Sequence, residues 1–277
     1  MPLSTTTWRM DATRTREVTD APRRRRTIAV TGSGSGIGAA VYGRFERSGA
    51  RVIGVDLRDA EVIADLSHPE GRAQAVEGVT ERCGSRLDGV VVCAGLGPQV
   101  DPTELIAAVN FFGAVGVLDG LLPALAEGEA PAAVAMASNS AGLTPPAPEL
   151  LGRLLEGDED GALAAAAALD GPTVYGTSKL ALTRAVRRRA QAWAEAGVRL
   201  NAVAPGPVDT PLLAGGLADP VLGPLIEALP VPMGRRGTPA EIAAAVGFLL
   251  DPANGFIHGS VLFVDGGSDA LLRPDAL

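Results

Sequence analysis

Residues 27–38 read TIAVTGSGSGIG, a short apolar run that leads directly into a glycine-rich turn. The apolar run predicts a buried strand, and the amphipathic pattern of residues 36–48 predicts a helix immediately after the turn. Glycines at positions 32, 36 and 38 allow a sharp turn and a close approach of the backbone to a phosphate at the helix N-terminus. The spacing T-G-x-x-x-G-I-G differs from G-x-G-x-x-G, since Ile37 and Val41 stand where the last glycine of that motif would fall.

The same alternation of apolar runs and amphipathic segments continues along the chain. Uniformly apolar strands are buried on both faces, as in a parallel sheet, and strand–helix alternation gives right-handed crossovers. The sequence therefore predicts an α/β fold with a single Rossmann-type domain, a doubly wound parallel sheet with helices on both faces. Strands are expected at 27–31, 51–56, 61–64, 87–94, 132–137, 199–204 and 260–264, and the main helices at 36–48, 68–82, 105–125, 178–196 and 240–249.

Composition sets limits on partners and location. The chain has 277 residues and a net charge of −8, but residues 1–26 carry seven arginines against three acidic residues, which leaves −12 on the remainder. We therefore expect a flexible basic tail at 1–26, including the solvated run 23–26, and a folded domain at 27–277. An acidic domain argues against nucleic acid as a partner. The sequence begins without an apolar leader and has no long uninterrupted apolar run, so we expect a cytoplasmic protein with no membrane partner.

Two segments interrupt the alternation. Residues 143–173 are first Pro-rich and then Ala-rich, and two short helices are expected there, at 148–155 and 161–169. Residues 210–239 are rich in Pro and Gly, with one weak helix expected at 221–229. Both leave the carboxyl edge of the sheet, where open α/β sheets bind ligands. We therefore expect both segments to act as substrate lids.

Asp56 ends the second predicted strand, 24 residues after Gly32. At that position a carboxylate can accept hydrogen bonds from the adenosine ribose hydroxyls and would repel a 2′-phosphate. This favours NAD over NADP, although Arg58 lies close enough to accommodate a 2′-phosphate. A structural turn followed by a surface aspartate is the alternative interpretation.

Lys179 is the only lysine among 24 basic residues, and it lies four residues after Tyr175, one of two tyrosines. Residues four apart share one face of a helix. A neighbouring ammonium is expected to lower the pKa of the phenol, so that Tyr175 can exchange a proton with an alcohol oxygen. Lysine is a compact charge with three donors, whereas arginine is a planar fork. The alternative is an ordinary helical pair.

Together these motifs resemble the short-chain dehydrogenase/reductases over residues 27–277. The resemblance rests on TGxxxGIG, the turn Cys93-Ala94-Gly95, Asn110, a serine after the fifth strand, YxxxK and PGPVDT (205–210). Within that family the chain is most similar to the bacterial 3α-hydroxysteroid dehydrogenase/carbonyl reductases. The matching stretches are DLRDAEVIADLS (56–67), VCAGLGPQ (92–99), VRLNAVAPGPVDTPLL (198–213) and GFIHGSVLFVDGGSDALLRP (255–274).

The resemblance implies a role for each matched residue. Tyr175 would be the general acid and base, Lys179 would tune it and hold the nicotinamide ribose, and Ser138 would bind the substrate oxygen. Asn110 would anchor a water near Lys179. The implied cofactor-binding residues are Gly32, Ser35, Gly36, Ile37, Asp56, Leu57, Asp65, Leu66, Ala94, Gly95, Lys179, Pro205, Gly206, Val208 and Thr210.

Two serines could fill the catalytic position after the fifth strand. Alignment on Pro131-Ala132-Ala133 selects Ser138, whereas a shift in loop length would select Ser140. We favour Ser138. The histidines and cysteines match no metal-ligand pattern, so no metal site is expected.

The sequence thus favours an NAD(H)-dependent oxidoreductase that interconverts a hydrophobic secondary alcohol and a ketone, with 3α-hydroxysteroids suggested by the resemblance. A terpenoid or other secondary-metabolite ketone is an alternative substrate, and a non-catalytic dinucleotide sensor is an alternative function. The apolar lids predict a hydrophobic small molecule as the substrate. A homodimer through residues 240–264 is expected, with a tetramer as the alternative.

Overall fold

The computed structural model describes residues 24–276 of the chain. Its strands are β1 (Thr27–Thr31), β2 (Arg51–Asp56), β3 (Val62–Ile63), β4 (Gly89–Val92), β5 (Ala132–Met136), β6 (Arg199–Pro205) and β7 (Val261–Val264). They form one seven-stranded sheet in the order β3-β2-β1-β4-β5-β6-β7. Every pair of neighbouring strands is parallel, which confirms the predicted sheet.

Helices connect the strands. The α-helices are α1 (Gly36–Arg47), α2 (Pro69–Cys83), α3 (Glu104–Ala107), α4 (Ala114–Ala126), α5 (Ser140–Leu143), α6 (Pro148–Glu156), α7 (Glu159–Ala166), α8 (Gly171–Glu195), α9 (Pro211–Ala218), α10 (Leu222–Glu227), α11 (Pro239–Leu250) and α12 (Ser268–Leu272). A π-helical segment, Ala108–Gly113, joins α3 to α4. A short 3-10 turn, Pro252–Asn254, follows α11.

Both faces of the sheet are covered. Val90 and Val91 are adjacent on β4, and both are fully buried, but they belong to different apolar clusters on opposite faces. The first cluster includes α4 and α8, and the second includes α1 and α11. Helices on both faces explain why the strands are uniformly apolar rather than alternating. The predicted doubly wound, Rossmann-type α/β fold is confirmed.

Several predicted element boundaries shift. The strand expected at 61–64 shortens to Val62–Ile63. The helix expected at 178–196 begins seven residues earlier, at Gly171, because the Asp170 carboxylate accepts a hydrogen bond from the Thr173 N–H and caps it. The segment 210–239 contains two helices rather than one, since the Thr210 hydroxyl caps α9 by accepting from the Leu213 N–H.

The continuous helical stretch Glu104–Ala126 is long and apolar enough, by length and composition, to cross a membrane, with a mean hydropathy of 2.0. In the fold this stretch lies largely in the core, and 61% of its most apolar part is buried. Ile106, Val117 and Leu121 on this stretch belong to the apolar cluster beneath the sheet. Burial in the core accounts for its hydropathy.

The arginines at 24–26 were expected in a solvated tail, and that prediction is wrong for these three residues. Arg24 forms an ion pair with the buried Asp88, and Arg25 donates to the Gly49 carbonyl. Arg26 donates to the carbonyls of Asp88 and Leu250. These guanidinium groups bind a carboxylate and backbone carbonyls near the amino-terminal edge of the sheet. The folded domain therefore includes Arg24. Residues 1–23 of the predicted tail lie outside the described residues.

Candidate active site

A cavity of about 500 Å³ opens at the carboxyl edge of the sheet. It lies where the strand order reverses, since β1 pairs with β2 on one side and with β4 on the other. Connections from such neighbouring strands diverge to opposite faces of the sheet and leave a crevice between them. The loops after β1, β4, β5 and β6 all contribute to its wall.

The glycine-rich turn forms one end of the cavity. Gly32 and Gly36 have positive φ angles of 66° and 52°, which L-residues with side chains rarely adopt. A Cβ atom on Gly32 would lie 2.7 Å from the backbone nitrogen of Ala94, so only glycine allows this loop to approach the loop after β4. A Cβ atom on Gly38 would collide with the Gly32 carbonyl, which keeps α1 packed against the turn.

Asp56 lies beside this turn, at the end of β2. Its carboxylate accepts hydrogen bonds from the backbone N–H groups of Gly34 and Leu57, at 2.8 and 2.7 Å. These bonds fix the carboxylate at the cavity wall. Asp65 is fixed in a similar way, because its carboxylate accepts from the Ser67 hydroxyl and N–H, and these bonds hold its pKa below the usual value. Arg58 is exposed and is not part of the wall.

Ser138 and Tyr175 come together at the other end. Ser138 follows β5 and is 8% exposed, and Tyr175 is half-buried on α8. Burial raises the pKa of the Tyr175 phenol, and hydrogen bonding with the Ser138 side chain offsets part of this rise. Ser140 also lines the cavity, but its hydroxyl is buried without a partner among residues 24–276. The position of Ser138 next to the Tyr175 phenol favours Ser138 over Ser140 for the role predicted from the sequence.

Lys179 lies one helical turn beyond Tyr175 and is 4% exposed. Its ammonium donates to the Met136 carbonyl at 2.9 Å and lies 5.8 Å from the centre of the Tyr175 ring. Burial lowers the pKa of Lys179 to about 8. The sequence predicts that Lys179 lowers the pKa of Tyr175, but burial dominates and the pKa of that phenol is raised. The physical reason is that both groups are desolvated together.

Asn110 lies in the π-helical segment and is fully buried. Its amide accepts from the Leu96 N–H at 2.7 Å and donates to the Leu96 carbonyl at 3.0 Å. A Cβ atom on Gly95 would lie 3.1 Å from the Asn110 Oδ1 atom and 3.4 Å from the Lys179 Nζ atom. Asn110 therefore fixes the backbone of the loop after β4 next to the lysine, and the π-helical turn is the backbone feature that carries its side chain there.

Of the predicted site residues, all except Asn110 line this one cavity. Sequence reasoning missed three polar residues of the wall, Gln99, Asn139 and Thr144. Gln99 lies within a matching stretch and Asn139 lies between two serines, but no motif assigns a role to either. Position alone carried a signal, because polar side chains in loops at the carboxyl ends of strands β4 and β5 face the crevice. Within residues 24–276, no group of three or more metal-ligating side chains is present.

The two expected lids contribute unequally to the wall. Residues 210–239 supply many of its apolar side chains, among them Leu212, Leu213, Leu225 and Ile226. Residues 143–173 supply Thr144 and Pro172, close to their two ends. Between those ends, α6 buries Leu150 in the core rather than in the cavity. The second segment therefore contributes more of the apolar wall than the first.

Comparisons with known proteins agree with this geometry. A family profile described as "short chain dehydrogenase" matches residues 26–147, and one described as "Enoyl-(Acyl carrier protein) reductase" matches residues 161–269. The 3-alpha-hydroxysteroid dehydrogenase/carbonyl reductase of Comamonas testosteroni is 46% identical over 251 residues, which cover 89% of this chain and 98% of that protein. A galactitol 2-dehydrogenase (L-tagatose-forming) from Cereibacter sphaeroides is 34% identical, covering 86% of this chain and 93% of that protein.

Solved structures show the same relationship. The crystal structure of the 3-alpha-hydroxysteroid dehydrogenase from Pseudomonas sp. B-0831 in complex with NADH superimposes with a TM-score of 0.89 and is 47% identical. The match covers 91% of this chain and 100% of that one. The glycine-rich turn, the Ser138–Tyr175–Lys179 grouping and these relatives lead to one conclusion: the chain belongs to the short-chain dehydrogenase/reductase family.

Proposed function

We propose that the protein is an NAD(H)-dependent oxidoreductase that interconverts 3α-hydroxysteroids and the corresponding ketones. The family makes it an oxidoreductase that uses a nicotinamide dinucleotide and acts on secondary alcohols. The observation that carries the choice of substrate is the 46% identity to the Comamonas enzyme over 98% of that enzyme's length. The apolar wall supplied by residues 210–239 supports it, because such a wall suits a rigid hydrophobic substrate.

The residues of the cavity fit a dinucleotide. Gly32 and Gly36 leave the turn free of side chains where a pyrophosphate would approach the N-terminus of α1. Gly95 leaves space beside the Lys179 ammonium, where a side chain would intrude. When bound, the nicotinamide supplies or takes up the hydride. Lys179 would hold the adjacent ribose, and Val208 and Thr210 would hold the carboxamide.

The chain's own residues manage the proton. Because burial raises the pKa of Tyr175, the phenol is protonated at neutral pH and can donate its proton to the oxygen of a bound ketone. Ser138, next to the phenol, would hold that oxygen in place. In the oxidative direction the same tyrosine takes the proton back from the alcohol. Asn110 would fix the loop beside Lys179 and anchor a water there.

We infer a preference for NAD(H) over NADP(H). The Asp56 carboxylate is held at the wall by two backbone hydrogen bonds, so a 2′-phosphate there would meet a fixed negative charge. Arg58, the group that could relieve this repulsion, is exposed outside the wall.

Oxidation of NADH and of NADPH by the purified protein, measured across steroid ketones, terpenoid ketones and quinones, tests these proposals. We expect the highest kcat/KM with a 3-ketosteroid and NADH. A higher kcat/KM with a terpenoid ketone would make terpenoid ketones, rather than 3-ketosteroids, the proposed substrate class. Absence of turnover with tight NADH binding would support a dinucleotide sensor instead. A lower dissociation constant for NADPH than for NADH would overturn the cofactor assignment.

A cytoplasmic homodimer that assembles through residues 240–264 remains a proposal. β7 is an edge strand of the sheet, and Phe248 on α11 is 50% exposed. Phe256, in the loop before β7, is fully exposed. A partly buried edge strand flanked by exposed phenylalanines is a typical surface for a two-fold contact. Light scattering should give the mass of two chains, whereas the mass of one chain would refute the proposal.

A further inference from the structure

Buried polar atoms without partners cluster at the cavity. Four buried side-chain atoms lack a hydrogen-bond partner within residues 24–276, and three of them belong to Gln99, Asn139 and Ser140. All three residues line the cavity. Buried polar atoms are almost always paired, so their concentration here indicates that a ligand or a water supplies the missing partners. Asn139 and Ser140 adjoin Ser138, whereas Gln99 lies on a different element.

Gln99 joins two walls of the cavity. It lies in the loop that follows β4, and its Nε2 atom lies 3.4 Å from the Leu212 carbonyl oxygen on α9, to which it donates a long hydrogen bond. Glycine leaves room for the amide on both sides. A Cβ atom on Gly215 would lie 2.9 Å from the Nε2 atom, and one on Gly97 would collide with the Oε1 atom.

The orientation of this amide follows from its neighbour. A carbonyl oxygen can only accept, so the NH₂ group must face Leu212 and the Oε1 atom must face away from it. Exchanging the two ends would place two acceptors together. Gln99 therefore has a free acceptor, the Oε1 atom, which is buried against Gly97 and has no donor within residues 24–276. A group that supplies a donor would satisfy it, and a group that supplies another acceptor would be repelled.

We propose that Gln99 is a specificity-determining residue that accepts a hydrogen bond from a second hydroxyl of the substrate, on a carbon other than the reacting one. The inference rests on the proposed function and deepens it. The reacting oxygen would lie at Ser138 and Tyr175, and most of the remaining wall is apolar. A buried acceptor selects strongly, because an analogue without the hydroxyl leaves the acceptor unpaired. The preferred substrates are thus hydroxylated hydrophobic ketones.

The experiment compares hydroxylated polycyclic ketones with their parent ketones, in which hydrogen replaces the second hydroxyl. The ratio of the two kcat/KM values is measured for the wild type, Gln99→Leu and Gln99→Glu. Leucine removes both ends of the amide, whereas glutamate keeps the acceptor and removes the donor to Leu212. We expect the wild type to prefer at least one hydroxylated ketone by about 10-fold, Gln99→Glu to keep that preference and Gln99→Leu to lose it.

Three outcomes would overturn the inference. The first is a wild type that turns over the ketones but prefers none of the hydroxylated ones. The second is a Gln99→Leu variant that keeps the preference, which would mean that a water satisfies the amide. The third is an equal loss in both variants, which would assign Gln99 to holding α9. A wild type inactive on every ketone would instead refute the proposed function, and NADH affinity of each variant verifies that the cofactor site is folded.

Discussion

The segments 143–173 and 210–239 both leave the carboxyl edge of the sheet and are both rich in apolar residues, yet their side chains lie in different environments. In the first, Leu150 and Leu154 on α6 are 0% and 1% exposed. In the second, Val221 and Leu225 are 69% and 64% exposed. Buried leucines stabilise the fold, whereas exposed leucines at the rim of a cavity can stabilise a bound hydrophobic ligand.

The segment 143–173 is also attached to the rest of the domain by an ion pair. Glu159 on α7 forms a bidentate ion pair with Arg72 on α2, and Arg72 donates as well to the carbonyls of Leu66 and Ser67. Arg72 is 8% exposed, so the guanidinium end of this pair is largely shielded from solvent. The second segment has a weaker attachment near the cavity, the long hydrogen bond from Gln99 to Leu212. We therefore expect the first segment to support α8 and the second to act as the lid.

The largest effect should come from α8, which carries Tyr175 and Lys179 and on which the first segment packs. Tyr175→Phe removes the proton donor, so we expect kcat/KM to fall by more than about 1000-fold.

Lys179→Arg keeps the charge but not its compact shape, and we expect kcat/KM to fall by at least about 100-fold, or roughly 2.7 kcal/mol of transition-state stabilisation. Steady-state kinetics at saturating cofactor measure both. Near-normal kcat in the arginine variant would show that charge alone suffices.

The same pair gives a pH signature. Burial lowers the pKa of Lys179 to about 8, so the lysine is charged below that pH and becomes neutral as the pH rises through it. If the charged form is required, kcat/KM for NADH, which reports the free enzyme, should fall above about pH 8. Arginine stays charged throughout this range. The pH profile of Lys179→Arg should therefore lie lower but should not fall above about pH 8. If kcat/KM falls at the same pH in both proteins, the titrating group is not Lys179.

A stability effect should separate the two segments. Leu150→Ala leaves a cavity in the core, so we expect it to lower the free energy of unfolding by about 2–5 kcal/mol. The matched variant Leu225→Ala removes the same atoms from an exposed side chain and should change it by less than about 0.5 kcal/mol. Urea unfolding with both variants measures the difference. Equal destabilisation would mean that the second segment is also part of the stabilising core.

The smallest effect should appear in substrate binding, where the Leu225 variant should show the larger change and the Leu150 variant the smaller one. If Leu225 closes over a hydrophobic ketone, Leu225→Ala should raise the KM for that ketone by about 10-fold, since burying a leucine contributes about 1.5–3 kcal/mol. Leu150→Ala, assayed well below its unfolding temperature, should leave that KM nearly unchanged. A KM that rises in the Leu150 variant and not in the Leu225 variant would exchange the two assignments.

The sequence by itself determined the fold and most of the site, because both depend on local patterns. Apolar runs and amphipathic segments fix strands and helices, and a strand followed by T-G-x-x-x-G-I-G fixes a turn that few other residues could form. Strand order then brings Asp56, Ser138 and Tyr175 to one edge, so the family motifs predicted residues that line one cavity.

Only the tertiary structure decided what depends on neighbours distant in the chain. Apolar composition predicted two lids, but packing of α6 against α8 decided that one of them buries its leucines in the core. Spacing predicted that Tyr175 and Lys179 are adjacent, but desolvation by the surrounding fold decided that the pKa of the phenol rises. Gln99 has no motif, and its free acceptor exists because a carbonyl on α9, more than a hundred residues away, takes up the other end of its amide.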